Sequence, residues 1–139
     1  MKVVLPDGTV VTASALHDRV VDNPDRHFGL YLDAAWSPTW DADVVDWPDF
    51  GVPTDPTAAA RSIAGAYERA KRGDNVEIGC LGGRGRTGTV IACMAVLAGV
   101  TADSAVTWVR ENYDSGAVET AEQQQWVEWF ASRQKNTPN

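Results

Sequence analysis

Only two cysteines, Cys80 and Cys93, occur in the 139 residues. That is too few for a disulfide framework, so a reducing compartment and at least one reactive thiol are expected. Basic residues are also scarce: 12 Lys and Arg stand against 19 Asp and Glu, for a formal net charge of -7. This excludes general affinity for nucleic acid or anionic membrane, both of which need a basic face to displace counterions. Long apolar runs are missing. The opening Met1-Lys2-Val3-Val4-Leu5 stops at Pro6, too short for a signal peptide, and no later stretch has the length to span a bilayer, so a soluble, cytoplasmic chain is expected. The two histidines, His17 and His27, have no ligand spacing to each other or to a cysteine, so neither metal nor cofactor is expected. Repeats, low-complexity tracts and a dividing linker are absent as well. One monomeric domain over 1–139 is therefore expected, with Gln134 to Asn139 as a frayed tail.

What is present suits a single core, with 44% hydrophobic residues. Lys2 to Leu5 and Thr9 to Thr12 read as a hairpin around Pro6-Asp7-Gly8. Ser14 to Val21 suits a short helix, and Phe28 to Leu32 and Ala42 to Val45 suit strands. Asp55 before Pro56 starts a helix over Thr57 to Arg72 that Gly73 stops. Asn75 to Gly79 is a short apolar strand, followed by an apolar helix over Thr87 to Ala98. A helix capped at Thr101 runs to about Asn112, and a last one from Glu119 or Thr120 carries Trp126, Val127, Trp129 and Phe130 toward the core. Strands alternating with helices predict an α/β fold: a central, mostly parallel twisted sheet with helices on both faces.

The chemistry concentrates in Cys80-Leu81-Gly82-Gly83-Arg84-Gly85-Arg86 and the following Thr87, between a strand and a helix. Three glycines let successive N–H groups turn inward around an anion, and the helix points its positive end at the same spot. The helix end supplies at most about 2 kcal/mol. A free thiol titrates near about 8.5, so keeping it anionic at neutral pH takes roughly 3–4 kcal/mol of preference for thiolate. The rest falls to the loop N–H groups, the Thr87 hydroxyl and Arg86. The planar fork of Arg86 binds two phosphoryl oxygens at once, which lysine does not. Five intervening residues let thiolate and guanidinium face one phosphorus. A buried strand-end cysteine and an ordinary βα turn are the plainer alternative. A Walker-type loop is excluded by the missing Gly-Lys-Ser/Thr.

Trp47-Pro48-Asp49-Phe50-Gly51-Val52-Pro53 forms a second motif at a strand end, a hinged loop able to swing one carboxylate over a site. Asp49 then suits a general acid for a departing alkoxide or phenoxide, against the alternative of a surface turn. Together the two motifs resemble the protein tyrosine phosphatase superfamily. The likeness extends to Ala117-Val118-Glu119-Thr120-Ala121-Glu122-Gln123, similar to the family's late loop. By resemblance, Cys80 attacks phosphorus, Arg86 clamps the phosphoryl group and Asp49 protonates the leaving group, then deprotonates water. Thr87 bonds the sulfur, and Gln123 with Glu119 orients that water. Leu81, Gly82, Gly83, Arg84, Gly85, Arg86, Trp47 and Phe50 form the substrate site.

Two departures refine the likeness. Gly79 stands where the family commonly has histidine, and Glu119 where many members have glutamine; the second points to the small dual-specificity branch. Arg84 occupies a position where some lipid- and inositol-directed members carry lysine, though a solvated side chain is the plainer reading. Asp46 is a second carboxylate near the acid loop that strand alternation turns away. Cys93 suits a buried small hydrophobe. Trp36 and Trp40 suit either core or the pocket rim. The function expected is hydrolysis of a phosphorylated protein, with phosphotyrosine or dual specificity. A phosphoinositide, inositol phosphate, RNA 5′ phosphate or other small phosphomonoester substrate is the alternative, and a catalytically silent phosphate-binding module a third.

Overall fold

The computed structural model describes residues 1–15, 25–33, 38–80 and 84–136. Strands β1 (Lys2–Val4) and β2 (Val10–Ala15) pair antiparallel about the Pro6-Asp7-Gly8 turn, where Thr9 N–H donates to Asp7 Oδ1 at 3.0 Å. Strands β3 (Phe28–Tyr31), β4 (Ala42–Val44) and β5 (Val76–Cys80) complete a five-stranded mixed sheet in the order β1-β2-β5-β3-β4. β5 runs parallel to both β2 and β3, with Ala15 opposite Cys80 and Tyr31 opposite Gly79. Cys80 thus leaves the sheet at the middle of its carboxyl edge, where open α/β sheets place ligands.

Four helices follow from local signals. Helix α1 (Pro56–Lys71) is capped by Asp55, whose Oδ1 accepts from Ala58 N–H at 3.1 Å, and Pro56 takes the first-turn place where its missing N–H is harmless. Its buried residues Ala59, Ala60, Ile63, Ala66, Tyr67 and Ala70 recur at helical spacing. Helix α2 (Gly85–Leu97) is buried along nearly its whole length, and helices α3 (Ala102–Asn112) and α4 (Ala121–Asn136) pack on it. Thr101 caps α3 by accepting from Ser104 N–H at 3.3 Å.

Several expectations are corrected. Ser14 and Ala15 belong to β2, because parallel pairing with β5 overrides their weak strand preference; 16–24 lie outside the described residues. Helix α2 begins at Gly85, two residues before Thr87, so Arg86 and Thr87 are already in its first turn. The described part of the tail is helical to Asn136. Trp129 is 37% exposed, while Trp126, Val127 and Phe130 fill the core.

Val76, Ile78 and Cys80 join one core cluster with residues of all four described helices. Opposite them, Glu77 and Tyr31 make a buried polar brace. Glu77 accepts from Tyr31 Oη at 2.5 Å, Arg26 Nε at 2.9 Å and Ser14 Oγ at 2.9 Å; Trp40 Nε1 donates to Tyr31 Oη at 2.8 Å. Trp40 therefore serves this brace, with the Arg26 guanidinium 3.9 Å from its ring centre. Burial alone would raise the Glu77 pKa, but the bonds from Tyr31, Arg26 and Ser14 together hold it below the usual 4.5. A depressed carboxylate pKa stabilises the fold above the unfolded value and stops doing so as pH falls through the folded value. The stability of the wild type in urea is expected to hold down to about pH 4.5 on this group's account and to fall below it, a component that Glu77→Gln removes. Glu77→Ala, which strands the Arg26 charge in the interior, is expected to cost about 3–5 kcal/mol by urea unfolding at pH 7.

Candidate active site

The sulfur of Cys80 sits buried at the end of β5, and Thr87, in the first turn of α2, donates its hydroxyl to that sulfur at 3.0 Å. Placing the hydroxyl there requires α2 to start directly after the loop, as it does at Gly85. Among the described residues no side chain caps the helix at Arg84, which leaves first-turn N–H groups for an anion in the cleft.

Arg86 is only 5% exposed. Its Nη1 donates to two backbone carbonyls, Leu32 at 2.9 Å and Trp47 at 2.8 Å, tying α2 to the end of β3 and to the acid loop. Its Nε has no hydrogen-bond partner among the described residues and lies 3.6 Å from Asp49 Oδ1. A buried donor without an acceptor is costly, and a phosphoryl oxygen in the cleft is the acceptor that would satisfy it.

Asp49 stands across the cleft with its side chain 54% exposed, and its Oδ1 accepts from Phe50 N–H at 3.0 Å. The loop turns sharply here. Gly51 N–H donates to the Pro48 carbonyl at 2.9 Å, and Phe50 has φ 61°, an uncommon conformation for a bulky residue. Trp47 anchors the loop from inside: buried against Trp126, it donates its indole N–H to the Gly51 carbonyl at 2.8 Å. Trp47 accordingly does not line the cleft, and its expected substrate contact is corrected to a loop anchor. Asp46 turns away and accepts from Thr54 Oγ1 at 3.0 Å.

The cleft itself, of about 100 Å³, is lined by Asp49, Phe50, Cys80, Arg84, Gly85, Arg86 and Glu119. It brings together the thiol, the guanidinium and two carboxylates, in a space the size of a phosphoryl group. A larger groove of about 530 Å³, lined by Val96, Val100, Ala102, Glu128 and Ala131 among others, unites no thiol or arginine. Arg84 lies at the mouth, its Nε 3.7 Å from Asp114 Oδ2. Leu81, Gly82 and Gly83, also expected in the substrate site, lie outside the described residues, as do Trp36 and His17. His27 accepts from Asn75 N–H at 2.8 Å, a turn role far from any metal chemistry. Among the described residues no group of three His, Cys, Asp or Glu could hold a metal ion. Cys93 is fully buried in α2, and burial pushes its thiol well above its ordinary value.

The late loop needed tertiary information. Glu119 reaches the cleft because Gly85 has no side chain; a Cβ there would collide with the Glu119 carboxyl. Its neighbour Val118 has φ 57°, strained by about 1–3 kcal/mol for a β-branched residue. Arg110 of α3 holds that backbone, donating to the carbonyls of Ala117 at 3.1 Å and Val118 at 2.8 Å. Gly88 lets Ala117 approach α2 more closely than a Cβ would allow. Tyr113, half-buried nearby, has its phenol pKa raised, by burial first and then by the charge of a Cys80 thiolate. Gln123 is 0% exposed and does not reach the cleft. Its Oε1 accepts from Glu119 N–H at 2.8 Å, and its Nε2 donates to the Gly51 carbonyl at 3.1 Å.

The family described as PTP-SAK, Swiss Army Knife protein, DSP-PTPase phosphatase domain, matches residues 48–137. The uncharacterized protein MJECL20 of Methanocaldococcus jannaschii is 35% identical over 109 residues, covering 70% of this chain and 71% of that protein. Among solved structures, Tk-PTP in its active form superposes with a TM-score of 0.71 at 25% identity, over 89% of this chain and 91% of its own. Human DUSP28 shares the fold at a TM-score of 0.72 and 12% identity, over 97% and 98% of the two chains. With a family match that runs from the acid loop through the late loop and the last helix, the chain belongs to the PTP-SAK phosphatases, in the small dual-specificity-like branch of the protein tyrosine phosphatase superfamily.

Proposed function

We propose that the protein hydrolyses phosphomonoesters through a cysteinyl-phosphate intermediate, with phosphotyrosine and other phosphorylated side chains of proteins as its substrates. The observation that carries this reading is the convergence of Cys80, Thr87, Arg86 and Asp49 on one small cleft.

In the first step the Cys80 thiolate attacks phosphorus, forming the S–P bond as the ester P–O bond breaks. The Nε edge of Arg86 and the first-turn N–H groups of α2 hold the phosphoryl oxygens as charge spreads over them. Asp49 gives its proton to the departing oxygen. In the second step Asp49, now a carboxylate, takes a proton from water as the water oxygen bonds to phosphorus. The S–P bond breaks, and Thr87 stabilises the returning thiolate. Inorganic phosphate leaves.

Phe50, which is 59% exposed, and Arg84, paired with Asp114, line the cleft among the described residues. Membership of the dual-specificity-like branch supports action on phosphorylated serine and threonine as well as phosphotyrosine. With Asp49 as the acid, Asp49→Ala is expected to lower kcat/KM, which reports the first step, by about 10²-fold or more on phenyl phosphate, whose leaving group needs a proton. It should lower kcat/KM far less on p-nitrophenyl phosphate, whose leaving group departs without one. Equal losses on the two esters would remove Asp49 from the role.

A further inference from the structure

The resemblance gives Gln123 the task of orienting water, yet its side chain has no exposed surface and does not line the cleft. The side chain is fully buried, its oxygen occupied by Glu119 N–H and its NH₂ group by the Gly51 carbonyl. Gly51 belongs to the acid loop, two residues after Asp49, and Glu119 is the late-loop carboxylate that lines the cleft. The same Gly51 carbonyl also accepts from Trp47, whose own carbonyl accepts from Arg86.

We propose that Gln123 is a positioning residue, a latch whose single amide joins the acid loop to the late loop so that Asp49 and Glu119 come into the cleft together. Its worth follows from strain on both sides. Phe50 and Val118, the residues immediately before Gly51 and Glu119, both have positive φ, so each loop is bent into a conformation that its own sequence disfavours. Each bend persists only while neighbouring contacts fix it. Arg110 fixes the late loop from one side and Trp47 the acid loop from the other, while Gln123 touches both. The water-facing group of the late loop is then Glu119, whose carboxylate accepts a hydrogen bond from water in the cleft. The inference rests on the phosphatase reading, since it concerns the placement of that reaction's acid.

The test compares wild type with Gln123→Met, which keeps the bulk and loses both hydrogen bonds, and with Gln123→Glu. Phenyl phosphate and p-nitrophenyl phosphate serve as substrates across about pH 5 to 8. Gln123→Met is expected to lose about tenfold more kcat/KM on phenyl phosphate than on p-nitrophenyl phosphate, because a loosened acid loop costs most where the leaving group needs a proton. Gln123→Glu adds a signature that a packing role would not produce. An ionised carboxylate cannot donate to the Gly51 carbonyl, whereas a protonated one donates there and still accepts from Glu119 N–H. Burial raises a carboxyl pKa, so the kcat/KM of this variant on phenyl phosphate, relative to wild type at the same pH, should recover as pH falls. Should Gln123→Met fail to fold, that recovery alone decides the matter. Wild-type discrimination between the two esters in both variants, at every pH and whatever their stability, would overturn the latch. A wild type that hydrolyses neither ester would instead sink the phosphatase reading, and the latch with it.

Discussion

Arg86→Lys is expected to lower kcat/KM on an aryl phosphate by about 10³-fold, the scale of losing preorganised donors at a site of developing negative charge. Two losses combine. The fork that leaves Nε facing the cleft while Nη1 bonds Leu32 and Trp47 cannot be built from an ammonium, which concentrates its charge on one atom at the end of a flexible stem. The carbonyls of Leu32 and Trp47, both held by one nitrogen, then compete with the phosphoryl group for a single ammonium. Each carbonyl left unpaired costs about 1–3 kcal/mol. Weaker inhibition by inorganic phosphate should accompany the loss, because the ground-state anion uses the same donors. A drop in kcat with unchanged phosphate inhibition would place Arg86 outside the anion seat.

The second large effect is on Cys80 itself. Cys80→Ser is expected to abolish turnover, by on the order of 10⁴-fold or more, since an alcohol held by Thr87 has no comparable anionic form near neutral pH. The substitution is nearly isosteric and the side chain is buried, so the fold and the anion seat should survive. Tungstate or phosphate binding by calorimetry should therefore persist in the inactive variant. Loss of both binding and turnover would report a collapsed loop.

Much of the site was legible because its chemistry is written locally. A thiol six positions before an arginine in a glycine-rich loop, and a carboxylate between Pro48 and Phe50, announce themselves without tertiary information. The caps at Asp55 and Thr101 were equally local and set the starts of α1 and α3. What escaped was supplied by distant backbone. The Leu32 carbonyl that orients Arg86 has no sequence signal, because any residue there offers the same oxygen. Arg110 and Gly88 looked like ordinary helical positions until the late loop packed on them. The motif reading placed Gln123 near water, but its burial and both of its bonds depend on how α4 meets the acid loop. Glu77 did leave a trace, as a lone acid inside the apolar strand Val76-Glu77-Ile78, since a carboxylate buried on a central strand needs donors from its neighbours. Ser14 was misplaced because its strand identity comes from pairing with β5 rather than from propensity.

The missing histidine neighbour bears on the same account. Gly79 puts no imidazole behind the loop; it pairs with Tyr31 and gives its carbonyl to Leu32 N–H at 2.9 Å. Thr87 donates to the Cys80 sulfur and Arg86 lines the same cleft, so on this account the two are expected to carry part of what the family commonly shares with histidine.

The most direct test is to catch the intermediate. Asp49→Ala, mixed with p-nitrophenyl phosphate and quenched in cold base, which preserves a thiophosphate, should yield a Cys80 peptide carrying one phosphoryl group on sulfur by mass spectrometry, and Cys80→Ser should yield none. Steady hydrolysis by the wild type with the phosphoryl group on another residue, or undiminished turnover by Cys80→Ser, would contradict the account.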